Sequence, residues 1–298
     1  MLKRPTSGSI VCPTCGRLVG VRDEKCLGCG RTNPGMWGLA PILQRFGRDF
    51  GFAELVIGIC GTLYVLTILY DPKAALEVRS ILAIGSPSTE ATIIFGASGA
   101  APILLFDRWW TVLSAAWLHG GIIHIGFNMM WIRQLAPAVG NLFGLGRLLI
   151  IYTVSSIAGF ALTSFVFMMG LQGGPLGFLG LSGAGLTLGA SASLCGLFGA
   201  LLLYGQKTGN SQIVDQIKRF AIFILVLGIV IPGIDNLAHI GGFVGGYLCA
   251  RILDPLRAES PQTLLVGLVC LGANLLAIVA AVVHGLSIRP VIQAWLLQ

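Results

Sequence analysis

Long apolar runs that follow one another along the chain restrict its fold more than any other feature. Each run is near the roughly 20 residues that a helix needs to cross a bilayer. Only 10% of the residues are charged, against about 25% in soluble domains. The runs predict seven spans, at 52–70, 121–141, 147–169, 188–205, 217–233, 236–253 and 264–286. We therefore expect an all-α polytopic membrane protein.

Positive charge is concentrated ahead of the first span. Residues 1–51 carry eight Lys or Arg and three acidic residues, and basic residues recur in loops near 142–147, 206–219 and 251–262. This pattern predicts a cytoplasmic N-terminus by the positive-inside rule; binding of nucleic acid is the weaker alternative and is not expected. With no signal peptide expected, the first span would act as a retained signal anchor. The expected location is a bacterial inner membrane, with the lipid bilayer around the spans.

A connection of about fifty residues, at 71–120, joins the first two predicted spans and is called the long connection below. It contains Trp109, Trp110 and Trp117, and tryptophan rings favour the membrane interface. Long connections without predicted structure are functional or disordered. An apolar, tryptophan-bearing one indicates a re-entrant element at the outer membrane surface.

Two Cys-x2-Cys pairs precede the spans, Cys12 with Cys15 and Cys26 with Cys29. Four thiolates at this spacing can surround one tetrahedral zinc ion. Disulfides are the alternative, but a cytoplasmic segment stays reduced. We predict a structural zinc ribbon with no open coordination position for catalysis. Its role would be docking or regulation, and the sequence does not indicate its partner.

Polar residues that suit catalysis lie inside three of the apolar runs: His124 with Asn128, Ser191, and His239. Such residues within spans usually face a functional cavity. Counted from the cytoplasmic ends of their spans, Ser191 lies about 22 Å deep, His239 about 18–22 Å, and Asn128 about 28 Å from Arg147. All of them fall in the outer half of the membrane. Their shared depth favours a single site.

The chemistry of these side chains assigns their roles. A serine hydroxyl needs a neighbouring base, so Ser191 is the candidate nucleophile and His239 the candidate base. His124 and Asn128 are four residues apart, share one helix face, and with the Ser191 amide are candidates for an oxyanion hole. Asp235 is interpreted as a surface residue, so we expect a Ser–His dyad that needs no cofactor.

Two other serines match a bare Gly-x-Ser-Gly pattern better, namely Ser98 and Ser182. Ser98 lies in the long connection, and Ser182 is 24 residues before Gln206, too far out to share the depth of His239. Ser191 is therefore preferred over both.

These residues resemble the rhomboid family of intramembrane serine proteases. The matching stretches are residues 110–128 (WTVLSAAWLHGGIIHIGFN), 189–200 (GASASLCGLFGA) and 235–246 (DNLAHIGGFVGG). The first includes the family's His-x4-His-x3-Asn pattern, as His119, His124 and Asn128. The resemblance implies that Ser191 is the nucleophile, His239 its base, and His124 and Asn128 parts of the oxyanion hole. It also implies a helical bundle of six spans plus one C-terminal span.

The resulting division of the chain is a zinc ribbon at 1–35, a linker at 36–51, a protease core at 52–255, and an extra span with a tail at 256–298. Three positions depart from the family pattern: Ala192 replaces Gly, Cys195 an aromatic residue, and Thr111 an arginine. We therefore predict an intramembrane serine endopeptidase that cleaves single-span or polytopic membrane-protein substrates. The alternative is a non-proteolytic protein that binds transmembrane helices. A transporter is the weaker third reading, because no inverted repeat is seen.

Overall fold

The computed structural model describes residues 6–13, 15–43, 49, 51–77, 83–171, 177 and 180–298. Helices dominate it, and in chain order they are α1 (Ala40–Leu43), α2 (Phe52–Tyr70), α3 (Pro72–Leu76), α4 (Thr89–Phe95), α5 (Ala100–Leu105), α6 (Thr111–Ser114), α7 (Ile122–Phe143), α8 (Leu145–Met168), α9 (Ser191–Thr208), α10 (Ser211–Val230), α11 (Asn236–Leu253), α12 (Pro261–Ser287) and α13 (Arg289–Leu296). Short 3-10 turns cover Met36–Gly38 and Ala115–Trp117. Strands β1 (Ser9–Val11) and β2 (Leu18–Gly20) form one antiparallel hairpin. The predicted all-α class is confirmed.

Each predicted span overlaps one long helix. Among the helices that the structure describes, α2, α8 and α12 are long and apolar enough to cross a membrane by length and composition. One predicted loop, at 206–219, is wrong in extent. Residues 209–210 alone separate α9 from α10, and Lys218 and Arg219 lie within α10. These two basic residues, which suggested a loop, belong to the first half of α10. The side chain of Asn210, the residue just before the helix, caps its first turn.

Helix α9 lies at the centre of the bundle. Every residue from Ala192 to Leu201 is buried, and α9 packs against α8, α10 and α11. A helix that is apolar and buried on all sides is a core element. Ser191 begins this helix, so its position is set by a buried core element.

Helices α9 and α11 touch through their backbones. A Cβ atom added at Gly246 would overlap the carbonyl group of Gly196, and one added at Gly242 would overlap that of Ala192. A Cβ at Gly199 would likewise overlap the carbonyl oxygen of Phe243. Small residues at a helix interface allow this close approach, so the glycines set the distance between the two helices.

The end of the bundle away from Ser191 is tied together by charged side chains. Lys207, near the end of α9, donates to Asp254 after α11 at 2.8 Å. That hydrogen bond lowers the pKa of Asp254 below its ordinary value. The pairing therefore stabilises this end of the bundle fully at pH values above the ordinary pKa of a carboxyl group. This contribution is lost as the pH falls through the lowered pKa of Asp254.

The N-terminal cysteine module (residues 6–35) packs at this same end. A cavity of about 290 Å³ separates the two and is lined by Cys15, Cys29 and Arg31 on one side and by Arg147 and Glu259 on the other. Burial raises the pKa of the Glu259 carboxyl, opposed by the Arg147 amide and the charge of Arg31. Part of the predicted linker at 36–51 forms α1, while residues 44–48 and 50 lie outside the described residues.

The long connection contains α3 to α6 and the 3-10 turn at Ala115–Trp117. Residues 78–82 of it lie outside the described part. An antiparallel bridge between Ser98 and Thr187 joins it to the segment before α9. The expectation that Trp117 is an interfacial ring is wrong. Its side chain is fully buried, and its indole N–H donates to Asn274 Oδ1 at 3.0 Å, because α12 packs over this turn.

The predicted C-terminal tail is a helix that packs on the long connection. Ile292 of α13 is fully buried in a cluster with Ile93 and Ile94 of α4. Arg289 Nε donates to Glu90 Oε1 at 2.8 Å. The amphipathic pattern of residues 289–296 therefore serves an intramolecular contact.

Candidate active site

The structure brings Ser191 and His239 together. Ser191 Oγ lies 2.9 Å from His239 Nε2, although the two residues are 48 positions apart in the chain. Ser191 is the first residue of α9 and is half-buried, while His239 lies in the first turn of α11 and is 8% exposed. A neutral imidazole nitrogen at this distance can accept the serine proton.

Two polar residues hold the start of α11 in place. Asp235 caps the helix, its Oδ1 accepting from the Ala238 amide and from Thr163 Oγ1, each at 2.9 Å. Asn236 Nδ2 donates to the carbonyl of Leu225 on α10 at 3.1 Å. Asp235 is thus a partly buried cap. Among the described residues, His239 Nδ1 has no hydrogen-bond partner.

His124 reaches the same site from α7. Its Nδ1 accepts from the Gly120 amide at 3.3 Å, which leaves Nε2 as the N–H donor of a neutral ring. Nε2 lies near Gly189: a Cβ atom built there would stand 2.6 Å from His124 Nε2 and 3.8 Å from Ser191 Oγ. A donor therefore borders the space beside the serine hydroxyl, as an oxyanion hole requires.

The Asn128 side chain has a weaker link to the site than that of His124, because the hydrogen bond it donates stays within α7. Its side chain is 2% exposed, and Nδ2 donates to the His124 carbonyl one turn earlier at 2.8 Å. One amide hydrogen is therefore used within α7, and the second remains for another acceptor. His119 stacks edge-on against His124, with ring centroids 5.1 Å apart.

Gly189 has a role that spacing arguments did not reveal. Its φ of +130° lies in a region that L side chains rarely adopt, and its amide donates to the Ala115 carbonyl at 2.9 Å. A side chain here would strain the backbone and contact the His124 ring. The glycine two residues before a candidate nucleophile was the available signal.

The two competing serines lie elsewhere. Ser98 is fully buried, and its Oγ accepts from Thr111 Oγ1 at 3.2 Å. Ser182 belongs to the segment before α9, where neighbouring Gly183 packs against the backbone of α8. In the part of the chain that the structure describes, neither serine forms a hydrogen bond with a histidine.

Comparison with known proteins decides the family. A family model described as "Rhomboid domain" matches residues 107–255, half of the chain, and this range contains all four candidate site residues. The chain belongs to the rhomboid family.

Three relatives illustrate the match. "Rhomboid protease GluP" of Bacillus subtilis is 32% identical over 178 residues, covering 58% of this chain and 32% of that protein. "RHOMBOID-like protein 4" of Arabidopsis thaliana is 30% identical, covering 56% and 40%. "Rhomboid-type serine protease 2" of Emericella nidulans is 31% identical, covering 47% and 26%. The chain thus spans well under half the length of these rhomboid relatives.

The departures from the rhomboid pattern leave the Ser–His contact intact. Ala192 is fully buried where α9 meets Gly242 of α11, and Cys195 is 5% exposed. Thr111 replaces the pattern's arginine, yet Arg108 lies three residues before it. The buried Arg108 guanidinium donates to the carbonyls of Ile93, Ile94 and Ala281. Because Arg108 lies three residues before the position where the family pattern has its arginine, the sequence pattern did not indicate it.

The four module cysteines form a second candidate site. Their sulfur atoms lie within 4.8 Å of one another, and Gly16 and Gly30 follow the two pairs with φ near +73° and +74°. The Gly16 amide donates to the Cys12 carbonyl, and the Gly30 amide donates in the same way to the Cys26 carbonyl. Two matching turns that converge four thiols can hold one metal ion.

Proposed function

We propose that this chain is an intramembrane serine endopeptidase that uses a Ser191–His239 dyad. Rhomboid membership and relatives named as proteases support an intramembrane protease. The observation that supports the dyad is the 2.9 Å separation of Ser191 Oγ and His239 Nε2. The helices that carry both residues are in backbone contact, so this separation is part of the core packing.

The proposed reaction is an acyl transfer to serine. Ser191 Oγ attacks the scissile carbonyl carbon while its proton passes to His239 Nε2. His124 Nε2–H, the free amide hydrogen of Asn128 and the Ser191 amide stabilise the resulting oxyanion. His239 returns the proton to the leaving amine as the C–N bond breaks. Water, deprotonated by His239, then hydrolyses the ester and regenerates Ser191.

The substrates we propose are single-span or polytopic membrane proteins. Ser191 and His239 lie at the opposite end of their helices from the cysteine module. With the module in the cytoplasm of a bacterial cell, as the positive charge of residues 1–51 indicates, the site opens to the outer face. An intact helix hides its carbonyls, so cleaved segments would contain small, helix-destabilising residues.

Labelling with a serine-reactive fluorophosphonate tests the proposal. We expect one adduct per chain, located on Ser191 by peptide mass mapping, and cleavage of a single-span substrate by the wild type in liposomes. Labelling of Ser98 or Ser182 instead would refute the assigned nucleophile. Absence of both labelling and cleavage would favour the alternative, a rhomboid-like protein that binds transmembrane helices without cutting them.

We also propose that the cysteine module holds a structural zinc ion. The wild type should contain about one zinc per chain, and Cys12→Ser should lose it because three thiolates and one hydroxyl bind zinc poorly. Cys270→Ser, which changes a thiol within α12, is the matched control and should retain the metal. Fluorophosphonate labelling of Ser191 should persist in Cys12→Ser; its loss would assign the zinc a role in catalysis.

A further inference from the structure

Asn274 is a buried amide in the middle of the C-terminal span α12. Its side chain is 1% exposed and makes three hydrogen bonds: Oδ1 accepts from Trp117 Nε1 at 3.0 Å, and Nδ2 donates to Thr153 Oγ1 at 3.0 Å and to the Cys270 carbonyl at 2.8 Å. A polar residue at this depth is costly unless its bonds are made. Asn274 therefore links α12 both to α8 and to the long connection.

The bond to Trp117 reaches a turn that is hydrogen-bonded to the segment just before Ser191. Trp117 closes the 3-10 turn at Ala115–Trp117, and its ring packs on Tyr152 with centroids 5.8 Å apart. Ala115, at the start of the same turn, accepts the amide hydrogen of Gly189 at 2.9 Å. Gly189 is two residues before Ser191 and adjoins His124. A short covalent and hydrogen-bonded path thus runs from Asn274 to the nucleophile.

We propose that Asn274 is a positioning residue, which acts through Trp117 and Ala115 to set the placement of Gly189 and Ser191. The inference rests on the proposed serine chemistry, and it gives the C-terminal span a part in the reaction. The oxygen and the nitrogen of the Asn274 side-chain amide differ in function. The oxygen holds the turn beside the site, whereas the nitrogen holds α8 through Thr153.

That difference supplies the test. Asn274→Leu removes both functions at similar volume, and Trp117→Phe removes the indole donor and keeps an aromatic ring. Thr153→Val removes the bond from Asn274 to α8, together with the bond that Thr153 donates to the Leu149 carbonyl, and leaves the bond to Trp117 in place. Each variant, in liposomes, is measured for the maximal rate of fluorophosphonate labelling, for kcat and KM on a single-span substrate, and for thermal unfolding.

We expect Asn274→Leu and Trp117→Phe each to lower kcat and the labelling rate about tenfold with KM unchanged, because small misplacements of reacting groups are costly in rate. The double variant, Asn274→Leu with Trp117→Phe, should be no slower than the slower single variant, because both substitutions remove the same hydrogen bond. Thr153→Val should lower the unfolding temperature without changing the labelling rate.

Two results would overturn the inference. Thr153→Val and Asn274→Leu could lower the unfolding temperature alike with the labelling rate unchanged, which would make Asn274 a purely structural link. Losses that add up in the double variant would show that Asn274 does not act on the site through the Trp117–Asn274 bond. If Asn274→Leu does not fold, the labelling rate of Trp117→Phe alone tests the inference. Failure of the proposed function is recognised separately, since the wild type itself would then not label at Ser191.

Discussion

Replacing either Ser191 or His239 by alanine is expected to lower kcat/KM for a single-span substrate by about 10⁴-fold, since the two members of the proposed dyad would act as one unit. Ser191→Ala removes the attacking oxygen. His239→Ala leaves the hydroxyl without the nitrogen that now lies 2.9 Å away, and an unassisted serine is a poor nucleophile. Cleavage by purified protein in liposomes, followed over time by gel and mass spectrometry, measures both.

The double variant distinguishes a dyad from two separate contributions. If the two side chains act together, removing both should cost no more than removing one. Ser182→Ala is the matched control, a serine before α9 that is absent from the proposed machinery, and it should cleave at the wild-type rate. Losses that multiply in the double variant, or cleavage that survives in Ser191→Ala, would contradict the dyad.

The sequence was sufficient to predict the helical class and the residues that meet. Each apolar run became a long helix, because lipid leaves a spanning backbone few alternatives. The depth count preferred Ser191 to Ser98 and Ser182, and the structure has His239 beside Ser191. Both predictions depend on periodic geometry, since a constant rise per residue converts positions into heights.

Tertiary contacts were what the sequence left undetermined. Trp117 suggested an interfacial ring, yet it is buried against Asn274, a partner 157 residues away. Arg108 likewise reaches the Ala281 carbonyl on α12. Local pattern describes a side chain's chemistry, while its environment depends on which helix packs over it. The positive φ of Gly189 depends likewise on its contacts with the Ala115 carbonyl and the His124 ring, and the glycine itself signals only that such a backbone is allowed.

Substitution of Gly246 by alanine is expected to harm stability and catalysis together. The added Cβ would overlap the carbonyl of Gly196, so α9 and α11 would have to separate, and overpacking of this kind typically costs about 1–3 kcal/mol. The same separation would move Ser191 away from His239, and a displacement near 1 Å can reduce the rate about 100-fold.

The matched control for Gly246→Ala is Gly272→Ala, a glycine inside α12 with open space around its Cβ position. Because alanine favours helix more than glycine, Gly272→Ala should unfold at the wild-type temperature or above it and cleave normally. Thermal unfolding and cleavage measured side by side separate the two causes. Equal behaviour of the two variants would show that the α9–α11 contact can relax, and that the Ser191–His239 distance does not depend on the glycines between these helices.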